Sequence, residues 1–188
     1  ATTTISIVTP TGPGNECSEA IDINNLFSDT MNEVLTSDLY DNTNNTAEST
    51  DPDAAPNCFF EDDGYQKTIW YTFTGNGATF NIKSVECDAT NYITDGDTQV
   101  AIYTGDCTNP TFVDCNEDED GGNAIFNFNI DIDTENGVVY RMIVDGYDGL
   151  NGEFCLQVTN LMPSSITNIL QTYIELFPNP TTGLLQLN

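Results

Sequence analysis

Carboxylates separated by glycines are the strongest candidates in this sequence for a ligand-binding site. Calcium takes about six to eight oxygen ligands, and acidic glycine-rich loops supply both carboxylates and backbone carbonyls. The sequence therefore predicts a calcium site, with the ligands Asp95, Asp97, Asn116, Asp118 and Asp120.

The same acidic stretches are also typical of solvated loops that keep a β-protein in solution. None of them has EF-hand spacing, because the segment 118–121 lacks the downstream bidentate glutamate of such a loop. Further acidic clusters lie at 61–64 and 145–149. Calcium is thus the one cofactor that the sequence suggests, and solvated loops are the alternative.

Charge and composition exclude several classes of function. The 188 residues include 3 Lys+Arg, 30 Asp+Glu and no histidine, which gives a net charge of -27. Such a chain has no cationic face for nucleic acid or for an anionic membrane. Without histidine it lacks the usual general base and the commonest zinc ligand. We therefore expect no enzyme activity and assign no catalytic residue.

Six cysteines, with little lysine, indicate an oxidising, extracellular setting. Cys107 and Cys115 flank a predicted hairpin turn at 108–111, so we expect them to pair. Cys17 and Cys58 bracket a polar stretch that a bridge would stabilise by restricting the unfolded chain. Elimination then leaves Cys87 with Cys155.

The core-forming elements are short and alternate between apolar and polar residues. Strands are predicted at 67–74, 79–85, 99–103, 111–115, 124–132, 138–144 and 153–159, with turn residues between them. This spacing predicts an all-β fold, an antiparallel β-sandwich or jelly roll. In the first strand Ile69, Tyr71 and Phe73 share one face, and Trp70 on the other is expected in the core rather than on a sugar-binding platform. Residues 18–26 suit a short helix or a strand, and 41–57 predict a long surface loop with nothing to bury.

Both ends carry strand-like segments outside this predicted sandwich. The β-branched residues at the N-terminus precede a Pro/Gly breaker, and leucines follow a Pro-Asn-Pro turn near the C-terminus. An unpaired strand can add to the sheet edge of a neighbour. The expected assembly residues are Thr2, Thr4, Ile5, Ile7 and Val8.

A series of short motifs in residues 15–160 resembles the bacterial pre-peptidase C-terminal (PPC-like) β-sandwich domain. The resemblance implies a secreted, non-catalytic module between an N-terminal strand and linker at 1–14 and a linker with further strands at 161–188. It also implies that the loop around residue 97 and the loop 116–120 meet at one end of the sandwich. The sequence departs from the family at Glu117, where the pattern has Asp, and at Cys155. The motifs are Asn15-Glu16-Cys17-Ser18-Glu19-Ala20-Ile21, Ile69-Trp70-Tyr71-Thr72-Phe73, Asp97-Thr98-Gln99-Val100-Ala101-Ile102-Tyr103-Thr104-Gly105, Cys115-Asn116-Glu117-Asp118, Val139-Tyr140-Arg141-Met142-Ile143-Val144-Asp145-Gly146-Tyr147 and Gly152-Glu153-Phe154.

The tail around Pro178, Asn179 and Pro180 is similar to the opening of the C-terminal sorting domain read by the type IX secretion system of Bacteroidetes. Only the first strands of such a domain are present, so we expect the signal to be truncated or partly retained. The resemblance implies export and attachment to the cell surface.

Three functions remain open from the sequence. The first is a structural or adhesive surface protein that self-assembles into filaments by strand addition, with itself, other surface proteins or glycans as partners. The second is an accessory module of a larger secreted hydrolase. The third is a carbohydrate-binding module, which would need an exposed aromatic platform.

Overall fold

Two β-sheets packed face to face make up the described part of the computed structural model, which comprises residues 11–52, 58–60 and 64–162. Within these residues there are ten strands and several short 3₁₀ turns. The strands are β1 (Ile21–Asp22), β2 (Val34–Thr36), β3 (Tyr40–Asp41), β4 (Ile69–Thr74), β5 (Thr79–Val85), β6 (Thr98–Asp106), β7 (Asn109–Asn116), β8 (Asn129–Asp133), β9 (Val139–Gly146) and β10 (Glu153–Met162).

The strand order confirms the expected all-β sandwich. One sheet has the order β1-β4-β9-β6-β7, and the other has the order β2-β10-β5-β8, with β3 also paired to β10. Neighbouring strands are antiparallel except β1 and β4, which are parallel. All seven strands predicted from the alternating pattern are present. Residues 18–26, for which a short helix and a strand were both open, contain β1 and short 3₁₀ turns. The strands β2 and β3 escaped prediction because they are too brief to show a period.

The main core lies between the sheets and follows the predicted alternation along β4. Tyr71 and Phe73 are fully buried and face the second sheet with Ile69. Phe73 stacks on Phe27 at 4.0 Å and on Tyr140 at 5.1 Å between ring centroids. Burying such large apolar side chains is the main favourable term in folding.

The first sheet is apolar on its outer face as well, where a second core cluster forms. Trp70 is 1% exposed and packs with Tyr103 and Ile143. The described residues before β4, among them Phe59 and Tyr65, lie over this cluster, and we call them the cover. This confirms that the tryptophan is a core residue rather than a platform for sugars. Its ring nitrogen donates a hydrogen bond to the carboxylate of Asp51 at 2.9 Å, so the cover also satisfies its polar atom.

The cover includes the described part of the segment 41–57, which is an irregular loop as predicted, whereas the expectation that it has nothing to bury is wrong. Asn42 and Asn45 are fully buried. The side-chain amide of Asn45 donates to the carbonyl of Thr68 at 2.7 Å, and that of Asn42 donates to the carbonyl of Lys67 at 2.9 Å. Short polar side chains thus supply the hydrogen bonds that an irregular backbone lacks, which lets a polar segment pack on a sheet.

The disulfides join this cover to the sheet, and two of the three differ from the predicted pairs. Cys17 pairs with Cys107 and Cys58 pairs with Cys115, whereas the predicted Cys87–Cys155 bridge is confirmed. The predicted Cys107–Cys115 and Cys17–Cys58 bridges are therefore wrong. Both corrected bridges connect a residue before β4 to the β6–β7 hairpin.

The position of the hairpin turn explains the error. Asp106 pairs with Asn109, so the turn is Cys107-Thr108 and not the predicted 108–111. The carboxylate of Asp106 accepts hydrogen bonds from the backbone of Thr108 and Asn109, both at 2.9 Å, and this fixes the tight turn. Cys115 then lies six residues along β7, roughly 20 Å from the turn at the rise of a strand, too far for a bridge to Cys107.

Several predicted features lie outside the described residues. They include the assembly segment with Thr2, Thr4, Ile5, Ile7 and Val8, and the sorting motif Pro178, Asn179 and Pro180. The described helical segments include none long and apolar enough to cross a membrane.

We expect peptide mapping to recover the bridges Cys17–Cys107, Cys58–Cys115 and Cys87–Cys155. Pepsin digestion at low pH suppresses exchange, and cleavage near Phe112 would separate Cys107 from Cys115. The double variant Cys58→Ala/Cys115→Ala should lose about 2–5 kcal/mol of unfolding free energy in guanidinium titrations, because one long loop is no longer closed. A recovered Cys107–Cys115 peptide would contradict this connectivity.

Candidate functional site

Three loops meet at one end of the sandwich and enclose an open cleft of about 420 Å³. They are the β5–β6, β7–β8 and β9–β10 loops, and Phe60 of the segment before β4 adds to the lining. The backbone amide of Tyr147 donates to the carbonyl of Asp97 at 3.3 Å, which joins the first loop to the third. The residues that line the cleft are Phe60, Asp97, Glu117, Asp118, Gly121, Phe126 and Tyr147.

The β5–β6 loop presents Asp97 from a tight turn next to the core. Asp95 has a positive φ of 57° and lies inside a short 3₁₀ turn over Thr94–Gly96. The hydroxyl of buried Thr98 donates to the carbonyl of Gly96 at 3.1 Å, and its backbone amide donates to the carbonyl of Phe126 at 3.3 Å. One threonine at the start of β6 therefore holds the β5–β6 loop and part of the β7–β8 loop in place.

Local hydrogen bonds shape the β7–β8 loop that carries Asp118. Asn116 accepts a bond from the backbone amide of Asn129 at 2.7 Å, so its side-chain oxygen is already used to fix the base of the loop. Asp120 and Ile125 exchange two backbone bonds of 3.1 Å, which close the loop tip. Gly121 lies against the carboxylate of Asp118, so a Cβ atom at this position would displace that side chain.

The carboxylates of the cleft repel one another. The pKa of Asp97 is raised to about 6, first by burial and then by the charges of Asp118 and Asp95. Burial also raises the pKa of Asp118. A carboxylate gives up solvation when it is partly buried, and a like charge nearby adds to that cost. The arrangement therefore favours a ligand that brings positive charge.

Aromatic rings line the cleft beside the carboxylates, and the predicted site did not include them. Phe60 is 59% exposed, and its ring meets that of Tyr147 edge to face with centroids 6.1 Å apart. Phe60 reaches this place because Cys58 is bridged to β7 and Phe59 is buried in the outer cluster. A usable signal was present, since Tyr147 lies inside one of the acidic glycine-rich motifs.

The predicted calcium ligands are brought together only in part. The charges of Asp95 and Asp118 both act on Asp97, whereas Asn116 is bonded to Asn129 and Asp120 accepts from Asn123 at 2.6 Å. Among residues 11–52, 58–60 and 64–162, no group of three or more His, Cys, Asp or Glu side chains is placed to hold a metal ion. Calcium binding stays a prediction.

A fully buried carboxylate connects the cover to the base of the cleft. Asp145, two residues before Tyr147, accepts bonds from the backbone amides of Gln66 at 2.8 Å and Lys67 at 2.6 Å. Burial raises its pKa to about 6, although these amides and the side chain of Gln99 favour the charged form. Asp145 therefore fixes the chain that leads from the cover into β4.

Comparisons with known proteins give similarity to solved structures alone. No protein-family model matches the chain, and a search of curated proteins finds no match. The pre-peptidase C-terminal domain of a collagenase from Bacillus anthracis is similar, with 16% identity over 75% of this chain and 95% of that chain and a TM-score of 0.36. A TM-score of this size carries no argument, so the sandwich rests on the strand register given above.

We expect the protein to become more stable as the pH falls from about 6 toward 4. Asp97 and Asp145 have raised pKa values in the fold, near 6 against an ordinary value of roughly 3.9. Between those values the folded state holds more protons than the unfolded state, so unfolding free energy decreases as pH rises and levels off above about 6. Thermal unfolding in chelator would measure this dependence.

The variant Asp97→Asn separates this effect from the general loss of charge. It should raise the melting temperature at pH 7 and weaken the pH dependence, because the unfavourable charge is gone. Asp88→Asn, which changes the net charge equally on an exposed loop, is the control. Equal effects of the two substitutions would show that the cleft is not the origin.

Proposed function

We propose that this chain is a non-catalytic binding module of an exported protein, and that it takes its ligand at the cleft formed by the three loops. The observation that carries the proposal is the meeting of an exposed ring, two half-buried rings and partly buried carboxylates in one open cleft. Binding sites typically combine an apolar surface with a few convergent polar groups. Neither group is explained by packing, because Phe60 is exposed and the carboxylates repel one another.

The disulfides and the sequence resemblances support an extracellular location. Three disulfides among the described residues are consistent with an oxidising compartment. The resemblance of residues 15–160 to PPC-like domains supports an accessory module of a larger secreted hydrolase. The resemblance of the segment at 178–180 to a type IX sorting domain supports export and cell-surface attachment.

The cations of the chain take no part in the cleft. Lys67 donates its ammonium group to the carbonyl of Thr43 at 3.3 Å, and the guanidinium of Arg141 donates to the carbonyl of Gly105 in the β6–β7 hairpin. Lys83 lies on β5 between Gln157 and Asn129 of the neighbouring strands. With histidine absent from the sequence as well, binding suits this site better than acid–base catalysis.

The variant Phe60→Ala tests whether the cleft is a binding site. Immobilised polysaccharides and extracellular matrix proteins would be screened with the wild-type chain, and each positive surface with the variant. We expect Phe60→Ala to weaken binding by about tenfold, since a central aromatic contact contributes on the order of 1–2 kcal/mol. Phe112→Ala on β7 removes an equally large exposed ring, 44% exposed, and should leave binding unchanged.

Two results would overturn the proposal. One is that no surface in the panel binds the wild-type chain. The other is that Phe60→Ala and Phe112→Ala weaken binding equally, which would make binding a general property of exposed aromatic rings. Thermal unfolding of both variants would show that each remains folded.

Self-assembly by strand addition is the second candidate function. The strand β7 lies at the margin of its sheet and has eight residues, with Phe112 and Val113 exposed, so it offers an edge for a neighbouring strand. It also carries Pro110 and an irregularity in register at Val113. Both features weaken edge pairing, and for this reason we rank assembly below ligand binding.

Deletion of residues 1–8 tests the assembly candidate. If strand addition builds a polymer, negative-stain microscopy and light scattering should show ordered fibres for the full chain and none for the deletion variant. The measurement would be made in millimolar calcium and in chelator, because divalent cations offset self-repulsion at a net charge of -27. A monomeric full chain under both conditions would rule the candidate out.

A further inference from the structure

We propose that the ligand of the cleft is an organic cation, namely the lysine or arginine side chain of a protein partner. This inference rests on the proposed function and names the chemistry of its ligand. It follows from the combination of carboxylates and aromatic rings in one cleft.

The cleft is negatively charged. Three of its seven lining residues are carboxylates, Asp97, Glu117 and Asp118, and none is a cation. The charges of Asp118 and Asp95 both disfavour ionisation of Asp97. A cation between them would lower this repulsion, whereas a neutral sugar would accept or donate hydrogen bonds and leave the repulsion in place.

Aromatic rings also line the cleft. Phe60, Phe126 and Tyr147 line the same cleft as the carboxylates. The face of an aromatic ring carries partial negative charge and attracts ammonium and guanidinium groups, more strongly when water is excluded. The side chains of lysine and arginine also have apolar stems that pack on such rings. A basic side chain therefore matches the carboxylates and the rings at once.

An organic cation fits the cleft better than a metal ion. Calcium needs a shell of oxygen ligands and gains nothing from the faces of aromatic rings. In the part of the chain that the structure describes, no three acidic, histidine or cysteine side chains converge closely enough for a metal. A cleft of about 420 Å³ is also large for a single ion, whereas it accommodates a side chain with its stem.

The field of the whole protein supports a protein partner as the source of the cation. A net charge of -27 attracts basic surfaces and accelerates their approach. The same field attracts any polycation without specificity, so affinity alone does not test the proposal. The test must separate the cleft from the rest of the surface.

The test measures binding of three labelled peptides by fluorescence anisotropy. They share one Gly/Ser-rich frame and carry four lysines, four arginines or four acetyl-lysines. We expect the lysine and arginine peptides to bind and the acetyl-lysine peptide to bind at least about tenfold more weakly, because acetylation removes the charge. Spermidine as a competitor distinguishes a free polyamine from a peptide side chain, and should compete only weakly.

Matched variants show whether binding is at the cleft. The double variant Asp97→Asn/Asp118→Asn removes two charges from the cleft, and Asp131→Asn/Asp133→Asn removes two exposed charges from β8. We expect at least about tenfold weaker binding for the first pair, as for a close charge pair, and less than about twofold for the second. Phe60→Ala should again weaken binding about tenfold, within the range of one cation–π contact from which water is excluded, and Phe112→Ala should not.

The outcomes separate this inference from the proposed function. Equal losses for the two double variants would show non-specific attraction to a polyanion and overturn the inference, as would tighter competition by spermidine than by the lysine peptide. Calcium binding that is lost in Asp97→Asn/Asp118→Asn but not displaced by the lysine peptide would assign the cleft to a metal. If a neutral glycan binds in a Phe60-dependent manner and the basic peptides do not, the proposed function stands and the inference fails.

Discussion

The rest of the structure depends on burial of the outer face of the first sheet. A sandwich needs only one apolar face on each sheet, yet here Trp70, Tyr103 and Ile143 make the outer face apolar as well. Exposing that face would cost the burial energy of several large side chains. The polar chain before β4 therefore covers it, with Asn42 and Asn45 as internal hydrogen-bond donors. Two disulfides and the buried carboxylate of Asp145 hold the cover in place.

This cover also builds the candidate site. Phe60 follows directly after Cys58 and Phe59, which are anchored to the first sheet by a bridge and by burial. The exposed ring then stands against Tyr147 at the end of the sandwich where the acidic loops meet. The cover that stabilises the first sheet thus also places aromatic rings beside the carboxylates. Loops on a rigid scaffold commonly carry binding residues for this reason.

Much of the sheet could be predicted, because apolar alternation along a strand is a local property of the sequence. The bounds of β5 agree with the prediction, and β4 buries Ile69, Tyr71 and Phe73 on the face expected. The β6–β7 turn was misplaced by only a few residues, yet this reversed the interpretation of Cys107 and Cys115. A disulfide depends on distances across the fold, and a small error of register changes them by several ångströms.

Composition and local pattern alone determined the fold class, the strongly negative charge, the absence of histidine chemistry and the acidic loops as candidate binding elements. Only the tertiary structure decided which of those loops meet. It joins Asp97 and Asp118 with Phe60 and Tyr147, which lie far apart in the chain, and leaves Asn116 and Asp120 in bonds within their own loop. The physical reason is that strand pairing and two long-range bridges set these distances, and neither leaves a period or spacing in the sequence.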